Sequence, residues 1–183
     1  KPAFDWASRE TWPTALEGMD AVYVVYQPDL AVPAAADNIR AFTQIAKQQG
    51  VRKVVLLRGR SVKEAQAAEQ LVADSGLDWT FVRAAWFSQN FTEGDFASMV
   101  QDGVIALPMS DAVEPIIDTN DIAEVVALAL NDTQLNGETL DRSGPEALTH
   151  HQLPTAPSQA TDREMRHPPT LHDDCRARTA GSG

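Results

Sequence analysis

The phrase SGLDWTFVRAAWFSQNF, Ser75 to Phe91, ends in an unusual way for a strand. Its apolar run closes on Arg83, two alanines (Ala84, Ala85), two adjacent aromatics (Trp86, Phe87), and then Ser88, Gln89 and Asn90. A polar turn is the common ending. Here a guanidinium, a small-residue step, two flat rings and an amide are gathered within eight residues, groups suited to holding a ligand. By residue type alone, Trp86 and Phe87 also read as packing and Asn90 as a helix cap, because aromatics at a strand end are usually core.

Other candidates are plainer. Arg58 in LLRGR could meet a phosphate, but it reads more simply as a solvated arginine. His150 and His151, and the run His172, Asp173, Asp174, Cys175, have metal-binding side chains but no ordered surroundings in view, so no metal site is assigned. Asp118 and Asp121 read as a strand-end turn residue and a helix cap, with Glu124 completing a capping box, and not as an acid pair. Gly144-Pro145 reads as a turn.

These residues need elements to hold them. Ala21–Tyr26 (AVYVVY), Val51–Leu57 (VRKVVLL) and Asp78–Ala85 (DWTFVRAA) are short apolar runs of the kind buried on both faces of a parallel sheet. Between them the spacing predicts helices over Asn38–Gln49, capped by Asp37 or Asn38 and closed by Gly50, and over Glu64–Asp74, with Ala65, Ala68 and Val72 on one face. Strand, helix, strand, helix, strand with short links predicts right-handed crossovers and a parallel α/β sheet. In such sheets ligands bind beyond the carboxyl ends of the strands. Tyr26-Gln27-Pro28, Arg58-Gly59-Arg60 and Arg83 to Asn90 are therefore expected along one edge. Further on, a helix or irregular helix is expected over Phe91–Gly103, short strands at Val104–Pro108 and Pro115–Thr119, and a helix beginning after Asp121. Thr155–Gly183, rich in proline and poor in apolar periodicity, is expected to be largely disordered.

Composition narrows the partners. The 183 residues carry 15 basic and 26 acidic side chains, a net charge of −11, which disfavours nucleic acid and anionic membrane. One cysteine excludes a disulfide framework, and a cytoplasmic setting is expected. No apolar run has the ~18 residues of a membrane span.

The phrases LEGMDAVYVVYQP, NIRAFTQIAKQQGVRKVVLL, EQLVADSGLDWTFVRAAWFSQNF and IDTNDIAEVVALAL, in that order, resemble the NmrA-like branch of the atypical short-chain dehydrogenases/reductases. Within it they are similar to the NAD(P)H:quinone oxidoreductase type. The resemblance runs from about Phe4 to Gln152 and implies a Rossmann-like parallel sheet with flanking helices and a small C-terminal lobe. Residues 1–152 would be a partial NAD(P)-binding domain with the start of a substrate lobe, and 153–183 a tail. It also implies NADP or NAD as cofactor and a small-molecule acceptor such as a quinone. Tyr26, Gln27, Pro28, Arg58, Arg83, Ala84, Ala85 and Trp86 would lie against the cofactor, the alanines letting it approach the backbone. Trp86 and Phe87 would wall a pocket for a flat substrate ring, and Asn90 would offer it an amide.

Two departures qualify that picture. No Gly-x-Gly-x-x-Gly or Gly-x-x-Gly-x-x-Gly precedes Ala21, so the segment that seats a pyrophosphate is expected to be missing from a truncated domain. Tyr23 and Tyr26 are followed four residues later by Gln27 and Leu30, so there is no Tyr-x-x-x-Lys proton relay and no catalytic residue is assigned. Three readings stay open: a quinone-reducing enzyme when intact, a regulator that senses NADP(H) without turnover, and a fragment that is inactive by itself.

Overall fold

Three apolar runs become three adjacent parallel strands. The computed structural model describes residues 3–60, 62, 65–94, 96–105, 113–149, 152, 153 and 155–166. Its described residues form two compact units, one reaching to Ala84 and including Asn120–Arg142, the other comprising Ala85–Thr119 and the residues from Ser143 on.

The first unit opens with a 3-10 turn, Arg9–Thr11, and a short helix α1, Trp12–Leu16. Strand β1, Ala21–Val24, is followed by α2, Pro33–Gln48, then β2, Lys53–Gly59, α3, Gln66–Ala73, and β3, Asp78–Ala84. β1 pairs parallel with β2 and β2 parallel with β3, as the strand-helix alternation predicts. The fourth strand of this unit, Glu138–Arg142, pairs parallel with the outer side of β3.

One face of this sheet carries Val54, Leu56 and Phe81, packed with Ile39, Phe42 and Ala46 of α2 and with Ala65, Ala68 and Val72, the α3 stripe expected from the sequence. An aromatic cluster closes the β1 end of that core. Trp12 is fully buried, Trp6 sits 4.8 Å from Tyr26, and Phe42 is 5.3 Å from Trp6. The alternate residues Val55, Leu57, Thr80 and Val82 are buried on the opposite face. There the Thr80 hydroxyl donates to the Leu135 carbonyl at 2.7 Å, and Lys53 Nζ donates to the Asp132 carbonyl at 2.9 Å.

α2 begins five residues before the expected start. Pro33 occupies its first turn, where a missing N–H costs nothing, and Ala34, Ala35 and Ala36 continue it. Asp37 and Asn38 are thus interior. Asp37 pairs with Arg40 at 2.9 Å, and Asn38 donates to the Tyr26 hydroxyl at 2.9 Å. Gly50 does follow the helix in a left-handed conformation, φ +88°, as a closing glycine should.

The second unit contains the two-residue strand β4, Trp86–Phe87, a 3-10 turn Ser88–Phe91, the short helix α4, Ala97–Asp102, and β5, Glu114–Ile117. β4 pairs parallel with β5. α5, Thr119–Asn131, follows and returns the chain to the first unit, where the strand Glu138–Arg142 becomes β6. β7, Ala147–Leu148, pairs antiparallel with β5 in the second unit. Of the expected helix or irregular helix over Phe91–Gly103, the described helical part is α4, which follows the 3-10 turn ending at Phe91. The expected strand at Val104–Pro108 is represented by one bridge, Val104 to Arg166, and residues 106–108 lie outside the described residues.

Two expectations are corrected. α5 starts at Thr119, two residues before Asp121, so Asp121 lies in its first turn and does not cap it. The first part of the segment expected to be largely disordered, Thr155–Thr161, forms a helix, α6. Pro157 is tolerated because it is the third residue, among the first four whose N–H groups have no partner within a helix. Beyond it Ile105 N–H donates to the Arg166 carbonyl at 2.9 Å. Residues 167–183, with His172 to Cys175, and also His150 and His151, lie outside the described residues.

Candidate functional site

Parallel pairing places the carboxyl ends of β1, β2 and β3 on one edge of the first unit. The segments leaving that edge are the ones a ligand of an open α/β sheet would meet. Gln27 and Pro28, after β1, are exposed. Tyr26 is turned inward at 7 % exposure, its hydroxyl accepting from Asn38 and its ring against Trp6. It anchors the segment and presents no ring to solvent.

Arg58 departs most from its expected setting. It is neither solvated nor free to receive a phosphate. Its side chain is 3 % exposed and its Nε donates to Glu69 Oε1 at 2.6 Å. Nη1 lies 2.7, 3.2 and 3.4 Å from the carbonyls of Gly59, Arg60 and Val62. The carbonyls of Gly59, Arg60 and Val62 are thus gathered about one guanidinium. A Cβ at Gly59 would come within 2.9 Å of the Val62 side chain, which would have to shift to admit it. The Arg60 N–H reaches across to the Ala84 carbonyl at 2.9 Å and ties this segment to the end of β3.

Arg83 joins the same carboxylate. Its Nε and Nη2 donate to Glu69 Oε1 and Oε2 at 2.9 and 2.8 Å, and its side chain keeps 29 % exposure. Burial pushes the Glu69 carboxyl up, but hydrogen bonds from Arg83 and Arg58 outweigh it and hold the group below the usual carboxylate range. Hydrogen bonding to Glu69 raises Arg83 in turn. Ala84 is buried at 2 %.

In the second unit Ala85 is buried, and Trp86, Phe87 and Asn90 are half-buried. Trp86 stacks obliquely on Phe96, centroids 5.3 Å apart, in a cluster with Phe91 and Met99 about Ile105 and Leu153. Asn90 lies inside the 3-10 turn, its carbonyl accepting from Phe96 N–H at 3.0 Å. It is not a helix cap.

Two residues of the site's framework escaped the sequence reading. Glu69 was hidden on a face of alanines and valine, yet a carboxylate on that stripe, with arginines inside two apolar strands, is itself a signal. Gln89 is the other. Its amide oxygen accepts from the Thr119 N–H at 3.0 Å and from Ser88 at 2.9 Å, and its nitrogen donates to Asp118 at 3.1 Å. Asp118 is thus engaged in holding the turn after β4 and is not one half of an acid pair. Among the described residues no group of three or more metal-ligating side chains occurs, and no helix is long and apolar enough to cross a membrane.

At this edge the residues after β1, Gln27 and Pro28, are exposed, and Arg83 keeps part of its side chain in solvent. A pyrophosphate cradle is not among the described residues, since Arg58 commits its donors to Glu69 and to three carbonyls.

Comparison with known proteins agrees with the geometry. Residues 3–133 match a family model described as NAD(P)H-binding. The chain is 29 % identical over 168 residues to the prestalk A differentiation protein A of Dictyostelium discoideum, covering 89 % of this chain and 54 % of that protein. It is 27 % identical over 194 residues to the NAD(P)H azoreductase of Xenophilus azovorans, covering 99 % of this chain and 65 % of that one. The chain thus spans between half and two thirds of the length of these relatives. In three dimensions it resembles the NADPH-dependent quinone oxidoreductase of Escherichia coli solved with NADPH, with a TM-score of 0.79, 19 % identity, and coverage of 100 % of this chain and 67 % of that one. That likeness establishes a shared Rossmann-like fold. With most of its length matched by the family model, the chain belongs to the NAD(P)H-binding family.

Proposed function

We propose that this chain is the larger part of an NAD(P)H-dependent oxidoreductase that delivers hydride to a flat, quinone-like acceptor. The observation that carries the reading is the shared carboxyl edge of β1, β2 and β3, in a chain whose residues 3–133 belong to an NAD(P)H-binding family. When bound, the dihydronicotinamide supplies a hydride. With one proton from solvent, that hydride converts a quinone to a hydroquinone and leaves NAD(P)⁺. A quinone accepts hydride without a tyrosine-lysine relay, because its reduced form is a stabilised aromatic, which agrees with the absence of Tyr-x-x-x-Lys.

In this reading the chain's own residues bind and orient. In the first unit Gln27, Pro28 and Arg83 contact the cofactor. Tyr26 and Arg58, both buried, hold the segments after β1 and β2 in place. Phe87, with the edge of Trp86, walls the acceptor, and Asn90 donates an amide hydrogen bond to it. The missing relay favours one other reading, a sensor that binds NADP(H) without turning it over.

Equilibrium titration of the whole protein with NADPH and NADH, followed by turnover with a panel of quinones and azo compounds, tests the proposal. Binding followed by acceptor-dependent oxidation of the nicotinamide supports it. Binding without oxidation of any acceptor favours the sensor, and absence of binding to either nucleotide overturns both.

A further inference from the structure

The register of the first sheet sets Arg58 directly beside Arg83, and Arg83 beside Asp141, on one rung at the carboxyl edge. Two arginines on neighbouring strands repel, and both point to the α3 face. From that face Glu69, itself 6 % exposed, inserts one carboxylate between them. Its Oε1 accepts from both Nε atoms at 2.6 and 2.9 Å, and its Oε2 from both Nη2 atoms at 3.4 and 2.8 Å. A carboxylate that receives two guanidinium forks fixes the orientation of each. With its other nitrogens held, Arg58 has one direction left for Nη1, toward the Gly59, Arg60 and Val62 carbonyls. Next along the chain, the Arg60 N–H makes the last ladder bond of the β2–β3 pairing, to the Ala84 carbonyl.

We propose that Glu69, on a helix, is the positioning residue that shapes the cofactor edge of the site by orienting Arg58 and Arg83. The inference rests on the proposed reading of that edge as the cofactor site. Glu69 touches no reacting atom in it. It acts through two arginines on two segments, one after β2 and one at the end of β3. A purely structural ion pair would stabilise the sheet as a whole. This one is distinguished by its reach, since Arg58 spends more contacts on the following segment's backbone than on the carboxylate.

The test uses two variants of the whole protein, Glu69→Gln and Arg58→Lys. The lysine keeps the charge opposite Glu69 and the fold, but it has no second fork to hold the three carbonyls. It keeps the inference falsifiable if Glu69→Gln fails to fold. Exchange of the Arg60 amide with deuterium is read first, because it reports the tie to Ala84 without any ligand. It should accelerate on the order of tenfold or more, while amides in α2 remain unchanged. NADPH affinity and kcat/KM are read next. A displaced segment of a binding edge should cost roughly 10–100-fold in kcat/KM. Unchanged Arg60 exchange overturns the inference, and so does faster exchange accompanied by unchanged NADPH affinity. Failure of the wild-type protein to bind NADPH would overturn the proposed function instead, and Arg60 exchange would still decide whether Glu69 positions the edge.

Discussion

Replacing Arg58 by methionine removes a buried cation while keeping a long side chain of similar reach. The structure assigns it two contacts to Glu69 and three to the carbonyls that follow β2. Breaking a buried pair by deleting one partner costs about 3–5 kcal/mol, mostly the penalty of the charge left behind. Here Glu69 keeps Arg83 at 2.8 Å, so the low end applies. The stranded carbonyls can turn outward to water by releasing the segment, and the methionine regains a little apolar burial. The net expectation is a loss of about 3 kcal/mol at neutral pH, read as a lower urea midpoint with an unchanged slope. The pH dependence is more diagnostic. Glu69 is depressed in the folded protein, so its contribution is complete above the unfolded value of about 4.3 and is lost as pH falls through the folded value. The gap between wild type and Arg58→Met should therefore be full above that value and narrow in acid. A loss below about 1 kcal/mol, or a gap that does not narrow, would refute the pairing as the source of stability.

Thr80→Val keeps the β-branched shape but strands the Leu135 carbonyl, and should cost about 1–2 kcal/mol in urea unfolding. Gly144→Ala would drive a Cβ into the Ile116 carbonyl of the second unit. It should cost about 3 kcal/mol or more, seen as early proteolysis within Ala85–Thr119 while the first unit stays resistant. Asn90→Ala should lower kcat/KM for a quinone while leaving the NADPH dissociation constant within about twofold, since the proposal sets Asn90 beside the acceptor, where one hydrogen bond is worth about 1 kcal/mol.

The parallel core was legible because β1, β2 and β3 are continuous apolar runs and the helices between them keep their apolar spacing. What the chain does at its polar residues was less so. Asp37 and Asn38 look like caps, yet Pro33 and three alanines carry α2 past them, and Asn38 serves Tyr26 instead. Pro157 looks like a breaker, yet its position in the first turn of α6 makes it harmless. Arg58 looked exposed because arginine usually is. Its partner, Glu69, is eleven residues away on another element, and only the strand register brings the two together with Arg83. The Gln89–Asp118 contact likewise depends on how the turn after β4 folds, which no local pattern specifies.

The central claim is that this chain contributes a cofactor edge at which hydride leaves a bound nicotinamide for a flat acceptor. Its most direct test is to load the whole protein with NADPH, mix it with excess quinone, and follow the nicotinamide absorbance through a single turnover. The account predicts that the bound NADPH is consumed with the quinone and persists without it. NADPH that binds and is left unoxidised by every quinone offered would contradict it.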